Sequence, residues 1–415
     1  MFNLVKPMKR LLSAVQSFFK LSSVNIPQAL TKAKDQTLPA ALSRELNSAI
    51  EELSPPVIQI DRIGEALTKS LRCWQDNDTM PNVIVVLADP IQPTDRLLAA
   101  VVEHAQAEFT QLHINRLDNW SKRPSDYATT EAVVRNAIAT IVKEQPSDDV
   151  IKLVVIPTLE HYFLRCIDGL EAIEAIRQAI VDHRNYFWLV GCNRWAWHYL
   201  DKVCYLSAYL EHSFELPTLK ALELRHWLTP LDQIAGLAPF ASSSYSEHQQ
   251  SSRQQKNAAQ NGESFDNLLP WRSESEKEYF EDIEKKTKGI APIAAAVWLS
   301  ALEYDLVDPA DDQSHQHPDH QDMIGSLRRG QIELPDVPLL TADERFLIYA
   351  ILLHGSLSIQ HLALSLDEPE GKVQAQLQAL SRQRVIIKKM SGWTVNPVYF
   401  LGLRKDLDRN NFLLG

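Results

Sequence analysis

The sequence has few of the features that mark secreted, membrane-spanning or zinc-binding proteins. Its 415 residues include four cysteines, and the absence of C-x-x-C or zinc-finger spacing argues against a disulfide framework or a zinc site. No run of about 18 apolar residues occurs, so no membrane-spanning segment is predicted. The first basic residues are not followed by an apolar core and a cleavage site, which argues against a signal peptide. These absences predict a cytoplasmic protein.

Several catalytic and metal-binding signatures are missing as well. The sequence contains no G-x-S-x-G, no H-E-x-x-H and no glycine-rich dinucleotide fingerprint. Histidines cluster in the polar segment 308–322, where the lack of surrounding structure to orient ligands argues against a metal site. We therefore expect no catalytic residue, no cofactor and no metal.

Composition and charge favour a folded protein with more than one domain. Apolar residues make up 45% and charged residues 23% of the chain, as in ordinary globular proteins, and the length predicts two or three domains. The net charge of -11 argues against nucleic-acid binding over the whole surface, but local basic patches remain compatible with it.

The segment 1–34 is one such basic patch, with six lysines or arginines, no acidic residue and apolar residues at helical spacing. One interpretation is a solvated or partner-docking N-terminal helix. The other is an amphipathic segment that lies on an anionic membrane surface, which would place the protein at the periphery of the inner membrane.

Changes in composition along the chain predict six regions. Strands and helices alternate from Val83 to Leu231, which is typical of an α/β domain with a parallel sheet. Near the C-terminus, three helices followed by two short strands indicate a winged helix. The regions are an N-terminal helical region (1–80), an α/β core (81–238), a disordered Ser- and Gln-rich linker (239–264), a helical lid (265–307), an acidic, His-containing linker (308–340) and a winged-helix domain with the C-terminal tail (341–415).

Hydrophobic patterning predicts individual elements within these regions. The predicted strands of the core are Val83–Leu87, Phe109–Ile114, Ile151–Ile156, Tyr186–Cys192 and Ser213–Leu216. The predicted helices include Ile63–Trp74, Ser275–Leu302, a helix that ends at Leu353, Ser358–Leu366 and Glu370–Arg384. A capping box at Thr341 opens the helix that ends at Leu353.

The stretch Val83–Leu98, VIVVLADPIQPTDRLL, has the layout of a phosphate-binding loop without its functional residues. On the G-x-x-x-x-G-K-[ST] frame, the four defining positions hold Ala88, Pro93, Thr94 and Asp95. Proline has no backbone N–H for a phosphate oxygen, threonine lacks the charge of lysine, and aspartate repels a nucleotide. Taken alone, the stretch is equally compatible with an ordinary βα unit.

Three later segments extend this pattern. They are LVVIPTLEHYFLR (Leu153–Arg165), YFWLVGCNRWAWHYLDKV (Tyr186–Val203) and EYFEDIEKKTKGIAPIAAAVWLSAL (Glu278–Leu302). They resemble the second acidic motif, the sensor strand and the lid helices of bacterial AAA-type P-loop ATPases with a C-terminal winged helix, a group that includes origin-recognition and transposition ATPases. The resemblance covers residues 80–415 and implies a P-loop-NTPase-like α/β sheet with a helical lid, followed by an α+β winged-helix domain.

The resemblance also shows where functional residues have been replaced. Pro157 and Thr158 stand at the positions that would hold Mg²⁺ and orient the attacking water, with Glu160 two residues further on. Asn193 ends the sensor strand, as a vestigial sensor or as a structural hydrogen-bonding residue. Because phosphoryl transfer depends on all of these groups acting together, the resemblance implies a degenerate member, a pseudo-ATPase.

Other residues are candidates for contacts with partners. Arg194, Trp195, Trp197 and Arg225 are of types common in interface hot spots, although core packing is the favoured explanation for the tryptophans. The predicted third helix and hairpin of the winged helix carry cations suited to DNA, namely Lys372, Arg382, Arg384, Lys388 and Lys389. Acidic residues at the start of that helix oppose phosphate binding.

Two functions remain open on this basis. The first is a non-enzymatic scaffold or regulatory subunit that assembles with other protein subunits, such as an active AAA paralogue, or with further copies of itself. The alternative is a DNA-binding regulator that acts through the winged helix. An enzyme that binds nucleotide in an altered way is the least favoured hypothesis.

Overall fold

The core of the protein is a five-stranded, fully parallel sheet with the strand order β2-β3-β4-β1-β5. The computed structural model describes residues 38–77, 79–109, 111–117, 123, 129–143, 150–240, 270–305 and 326–412. The strands of the sheet are β1 (Val83–Ala88), β2 (Leu112–Arg116), β3 (Ile151–Ile156), β4 (Phe187–Asn193) and β5 (Ser213–Glu215). All five predicted strands are therefore present. Every residue of β1 and β4 is buried, as expected for the central strands of a parallel sheet.

Helices pack against the sheet and also make up most of the C-terminal part of the chain. They are α1 (Ala40–Glu52), α2 (Val57–Asp76), α3 (Thr94–Glu108), α4 (Thr130–Lys143), α5 (Glu171–Asp182), α6 (Arg194–Cys204), α7 (Ala221–Ile234), α8 (Glu274–Thr287), α9 (Ala291–Ser300), α10 (Ala342–His354), α11 (Ile359–Leu366), α12 (Glu370–Arg382) and α13 (Phe400–Arg409). Helix α2 begins six residues before its predicted start, directly after Pro56. Its buried residues join the core cluster of the sheet and α3, although α2 precedes residue 81.

Strands β1 and β4 are neighbours, but the chain leaves them in opposite directions. From β1 it continues to β2 at one edge of the sheet, and from β4 it continues to β5 at the other edge. Such a switch point opens a crevice at the carboxyl ends of parallel strands, where α/β proteins commonly bind ligands. The loop after β1 and the residues that follow β3 and β4 therefore meet at one place.

The predicted helix Ser275–Leu302 is in fact two helices, α8 and α9, and this part of the prediction is wrong. Lys288 and Gly289 both adopt positive φ, 57° and 68°, which ends α8. A Cβ on Gly289 would lie 2.2 Å from the carbonyl oxygen of Leu219, so only glycine fits this close approach. The antiparallel pair β6 (Leu302–Asp305) and β7 (Ser326–Arg329) was not predicted.

The C-terminal domain follows the predicted order of three helices and a hairpin. The capping box at Thr341 is present: its hydroxyl accepts the amide of Glu344, and the Glu344 carboxylate accepts the amide of Thr341. Helices α10, α11 and α12 are followed by β8 (Ile386–Lys389) and β9 (Gly392–Val395), which pair antiparallel. The predicted fold class, an α/β parallel sheet with helices and a further C-terminal domain, is confirmed.

Parts of the prediction lie outside the described residues. These are the basic segment 1–34, the Ser- and Gln-rich linker apart from its first two residues, and the histidine cluster. The described residues from Pro39 onwards form one compact unit, and the six predicted region boundaries stay predictions. Within the described parts, no helix is both long and apolar enough to cross a bilayer, and no group of three or more His, Cys, Asp or Glu side chains is placed to hold a metal.

Candidate functional site: a closed crevice at the sheet edge

The loop after β1 lies at the switch point and offers little to a phosphate group. Ala88 is the last residue of β1, Pro93 is the N-cap of α3, and Thr94 is its first residue. The backbone N–H of Asp89 is already used, because it donates to the side-chain oxygen of Gln92 at 2.8 Å. The polar side chains of this loop are carboxyl, hydroxyl and amide groups. The loop itself therefore supplies no cation.

Two side-chain oxygens of the loop are buried without a partner. Within the described residues, neither Asp89 Oδ1 nor Thr94 Oγ1 makes a hydrogen bond, and both residues are less than 10% exposed. Burial raises the pKa of the Asp89 carboxyl, and the charges of Arg194 and Arg404 partly offset this effect. The Asp89 carboxyl thus offers an acceptor where a phosphate would need a donor, and of these two groups the Thr94 hydroxyl can donate.

The segment after β3 is packed tightly beneath β4. A Cβ on Gly191 of β4 would lie 2.2 Å from the carbonyl oxygen of Pro157, which explains why a glycine interrupts this buried strand. The Thr158 hydroxyl is 3.1 Å from Nδ1 of His161. Neither Pro157 nor Thr158 carries a carboxylate into the crevice.

Glu160 is the buried acid of the crevice. It is 5% exposed, and its Oε2 accepts the backbone N–H of Asn193 at 3.1 Å. Burial raises the pKa of this carboxyl to about 7, against the lowering effects of hydrogen bonds from the backbone and of the Arg123 charge. Asp95, at the start of α3, raises this pKa further.

Asn193 joins the sheet to the C-terminal domain. Its Oδ1 accepts the N–H of Ala196 and caps α6, as asparagine commonly does. Its Nδ2 donates to the carbonyl oxygens of Leu352 at 3.3 Å and Leu353 at 2.9 Å. The last carbonyls of a helix have no partner within the helix, so Asn193 binds the end of α10.

Further contacts fix the end of α10 in the crevice. The Arg123 guanidinium donates to the carbonyl oxygens of Glu160 at 2.7 Å and His354 at 3.4 Å, and it also bonds the carbonyl of Phe163. The imidazole of His354 is fully buried, with its ring centre 4.6 Å from that of Phe163. The backbone N–H of Arg165 donates to His354 Nε2 at 3.4 Å. The crevice is therefore closed by the protein's own C-terminal domain.

The four candidate interface residues are placed mostly inside the chain. Trp195 is buried, and its ring lies 6.0 Å from Tyr349 of α10. Trp197 is also buried. Arg225 is 4% exposed and forms an ion pair with Glu276, so its charge is used within the chain. Arg194 lies 3.6 Å from the exposed Glu215.

All five candidate DNA-contacting cations are exposed, and two of them form ion pairs. The ammonium of Lys372 pairs with Glu368 at 2.6 Å and with Asp343 at 3.0 Å. The hairpin residue Lys389 pairs with Glu51 of α1 at 3.0 Å. The side chains of Arg382, Arg384 and Lys388 are exposed.

Sequence reasoning did not identify Arg123 or His354. Arg123 lies in a segment without a motif, and its hydrogen-bond partner His354 is 231 residues away. The only local signal at the end of α10 is Gly355, whose φ of 73° matches a helix C-terminus. Nothing in the sequence shows which surface receives that helix end.

No family model and no curated protein matches the sequence. Solved structures with some likeness include C. elegans PCH-2, with 14% identity and a TM-score of 0.39, covering 62% of this chain and 67% of that one. The Aeropyrum pernix ORC1 protein in complex with DNA has 11% identity and a TM-score of 0.33, covering 92% and 97%. The E. coli MS115-1 HORMA:CdnC:Trip13 complex has a chain with 12% identity and a TM-score of 0.32, and the match covers 48% of this chain and 74% of that one. At these TM-scores the likenesses establish neither activity nor partners.

Proposed function

We propose that this chain is a catalytically inactive, AAA-like protein, a pseudo-ATPase that acts as a scaffold or regulatory subunit in a protein assembly. One observation carries the proposal: the end of α10 occupies the crevice, with the carbonyls of Leu352 and Leu353 bound by Asn193. The position at which a nucleotide would bind is used to hold the C-terminal domain on the core.

The chemistry of the crevice supports the absence of phosphoryl transfer. That reaction needs backbone donors, a lysine and Mg²⁺ to share the charge that develops on the phosphoryl group. Here Pro93, Thr94 and Asp95 replace the loop residues, and the nearby Asp89 and Glu160 are acids. Loss of one such stabilising group costs roughly 100-fold or more in rate, so the combined loss leaves no useful catalysis.

Surface composition supports a role in protein assembly. Tyr205 is 72% exposed and Tyr209 is 48% exposed, and Val203 beside them is 46% exposed. Neighbouring exposed tyrosines of this kind are enriched in protein interfaces. The partners in this proposal are other protein subunits, such as an active AAA paralogue that supplies the ATPase activity, or further copies of the same chain.

Calorimetric titration of the full chain with ATP and Mg²⁺ tests the pseudo-ATPase part of the proposal. We expect no binding heat, because the loop after β1 lacks the lysine and the glycines that bind phosphate and the crevice is filled by α10. Binding with a Kd of about 10 μM or tighter, worth roughly 7 kcal/mol, would contradict the proposal. The same titration with Asn193→Asp, which is expected to release α10, shows whether α10 alone prevents nucleotide binding. We again expect no binding heat, because the phosphate-binding residues of the loop are still missing.

The alternative function is DNA binding through the C-terminal domain as a winged helix, and the exposed Arg382, Arg384 and Lys388 favour it. In this case the triple variant with alanine at these positions would lose salt-sensitive DNA affinity, because each phosphate contact releases counterions. A matched variant, Lys372→Ala, removes a cation already paired with two acids and would retain most of the affinity. Our proposal expects little DNA binding and a stoichiometric protein companion that the triple variant retains.

A further inference from the structure

A buried acid and a buried base lie on the two sides of the contact between α10 and the sheet edge. Glu160 and His354 are both buried, and the Arg123 guanidinium connects them by donating to both backbone carbonyls. The two residues belong to the two sides of this contact, because Glu160 follows β3 of the sheet and His354 is the last residue of α10. A Cβ built on Gly355, the residue after His354, would lie 4.0 Å from Glu160 Oε1. Neither side chain is exposed while α10 stays docked.

We propose that Glu160 and His354 form a latch for the C-terminal domain: between pH 4.5 and 6.5 both side chains are neutral while α10 is docked, and they take up opposite charges when it is released. On release, the carboxyl loses a proton to water and the imidazole takes one up, so the charges balance. The inference goes beyond the proposed function. It depends on the observed docking of α10 and does not require that the protein lacks ATPase activity.

Burial acts in opposite directions on the two groups. It raises the pKa of Glu160 from 4.5 to about 7. It lowers the pKa of His354 well below 6.5, and the charges of Arg123, Arg165 and His161 lower it further. Among the described residues, the other titratable groups that face Glu160 and His354 are Asp95 at the start of α3 and the buried Cys192 of β4, whose thiol stays neutral because burial raises its pKa.

The two shifts have opposite consequences for docking. The raised pKa of Glu160 means that docking weakens as the pH rises from 4.5 towards 7. The lowered pKa of His354 means that docking weakens as the pH falls below 6.5. Between pH 4.5 and 6.5 one proton is released and one is taken up, so docking of the natural protein is nearly independent of pH.

Hydrogen exchange of the full chain at pH 5.5 and 7.5, corrected for intrinsic rates, tests the latch through the amides of α10. We expect opening of the natural protein to change only about twofold between the two values, because the two groups compensate. In Glu160→Gln only the imidazole titrates, and opening is about tenfold greater at pH 5.5. In His354→Gln only the carboxyl titrates, and opening is about twentyfold greater at pH 7.5.

The controls separate a latch from general burial effects. Amides of α2, which lies away from the contact, are expected to show none of these changes. Glu103→Gln makes the same substitution at an exposed position of α3 and is expected to behave as the natural protein does. If His354→Gln does not fold, the pH dependence of α10 exchange in the isosteric Glu160→Gln is sufficient to test the latch. A natural-like pH response in Glu160→Gln, or pH responses of the same sign in both variants, would overturn the proposal.

Discussion

Replacement of Glu276 by glutamine is expected to lower the free energy of unfolding by about 3–5 kcal/mol, because it leaves the buried Arg225 without its counter-charge. The two side chains are about 5% exposed, and Arg225 Nε lies 3.0 Å from Glu276 Oε1. The second carboxylate oxygen accepts the backbone N–H of Arg272 at 2.8 Å. An amide preserves the shape of the side chain but removes its charge. The loss of stability therefore comes from the buried guanidinium of Arg225, which has no counter-charge. Urea denaturation monitored by circular dichroism measures the change.

The matched control is Glu274→Gln, two residues earlier in the same helix. Glu274 pairs with Lys277 at 3.0 Å, but its side chain is 68% exposed, and exposed pairs contribute about 0–1 kcal/mol. Glu276→Gln should therefore be far more destabilising than Glu274→Gln. Equal losses for the two variants would show that the Arg225 charge is compensated elsewhere.

Asn193→Asp is expected to release the C-terminal domain from the core. The new carboxylate still accepts the N–H of Ala196 and caps α6, but it cannot donate to the carbonyls of Leu352 and Leu353. Each buried acceptor that loses its donor costs about 1–3 kcal/mol, which gives roughly 2–6 kcal/mol for the pair. The new charge also lies close to Glu160. Hydrogen exchange of α10 and limited proteolysis of 330–341 measure the release.

Asn82→Asp provides a control with the same chemistry in another place. Asn82 is buried, and its Nδ2 donates to the carbonyls of Ile180 and Tyr186 at 3.0 and 3.1 Å, within the α/β core. Its replacement should destabilise the core without selectively exposing α10. If Asn193→Asp keeps α10 as protected as in the natural protein, Asn193 is not the residue that holds the helix end.

The ends of the elements show where pattern and structure differ. The strand β3 has the predicted bounds, but β2 begins at Leu112 instead of Phe109, because the N–H of Phe109 bonds the carbonyl of Ala105 at the end of α3. Helix α12 ends at Arg382, two residues early, since Arg384 has a φ of 61° where the chain turns into the hairpin. Apolar periodicity does not detect such local hydrogen bonds or a positive φ.

The residues of the crevice show a different kind of limit. The resemblance to AAA-type ATPase motifs singled out Glu160, after β3, and Asn193, at the end of β4, and parallel strands bring their carboxyl ends to one edge. Their direct bond joins residues 33 apart, and the bond from Asn193 to Leu353 joins residues 160 apart. Patterns that extend over one helix or strand carry no information about such contacts.

The sequence by itself determined the local structure and the chemical character of the crevice. Buried runs specify the strands, the Thr341 capping box specifies the start of α10, and the residues after β1 include no lysine or glycine between Ala88 and Asp95. Only the tertiary structure decided what fills the crevice and how its acid and base behave. The physical reason is that burial, which shifts the pKa of Glu160 and His354, depends on distant segments packing together.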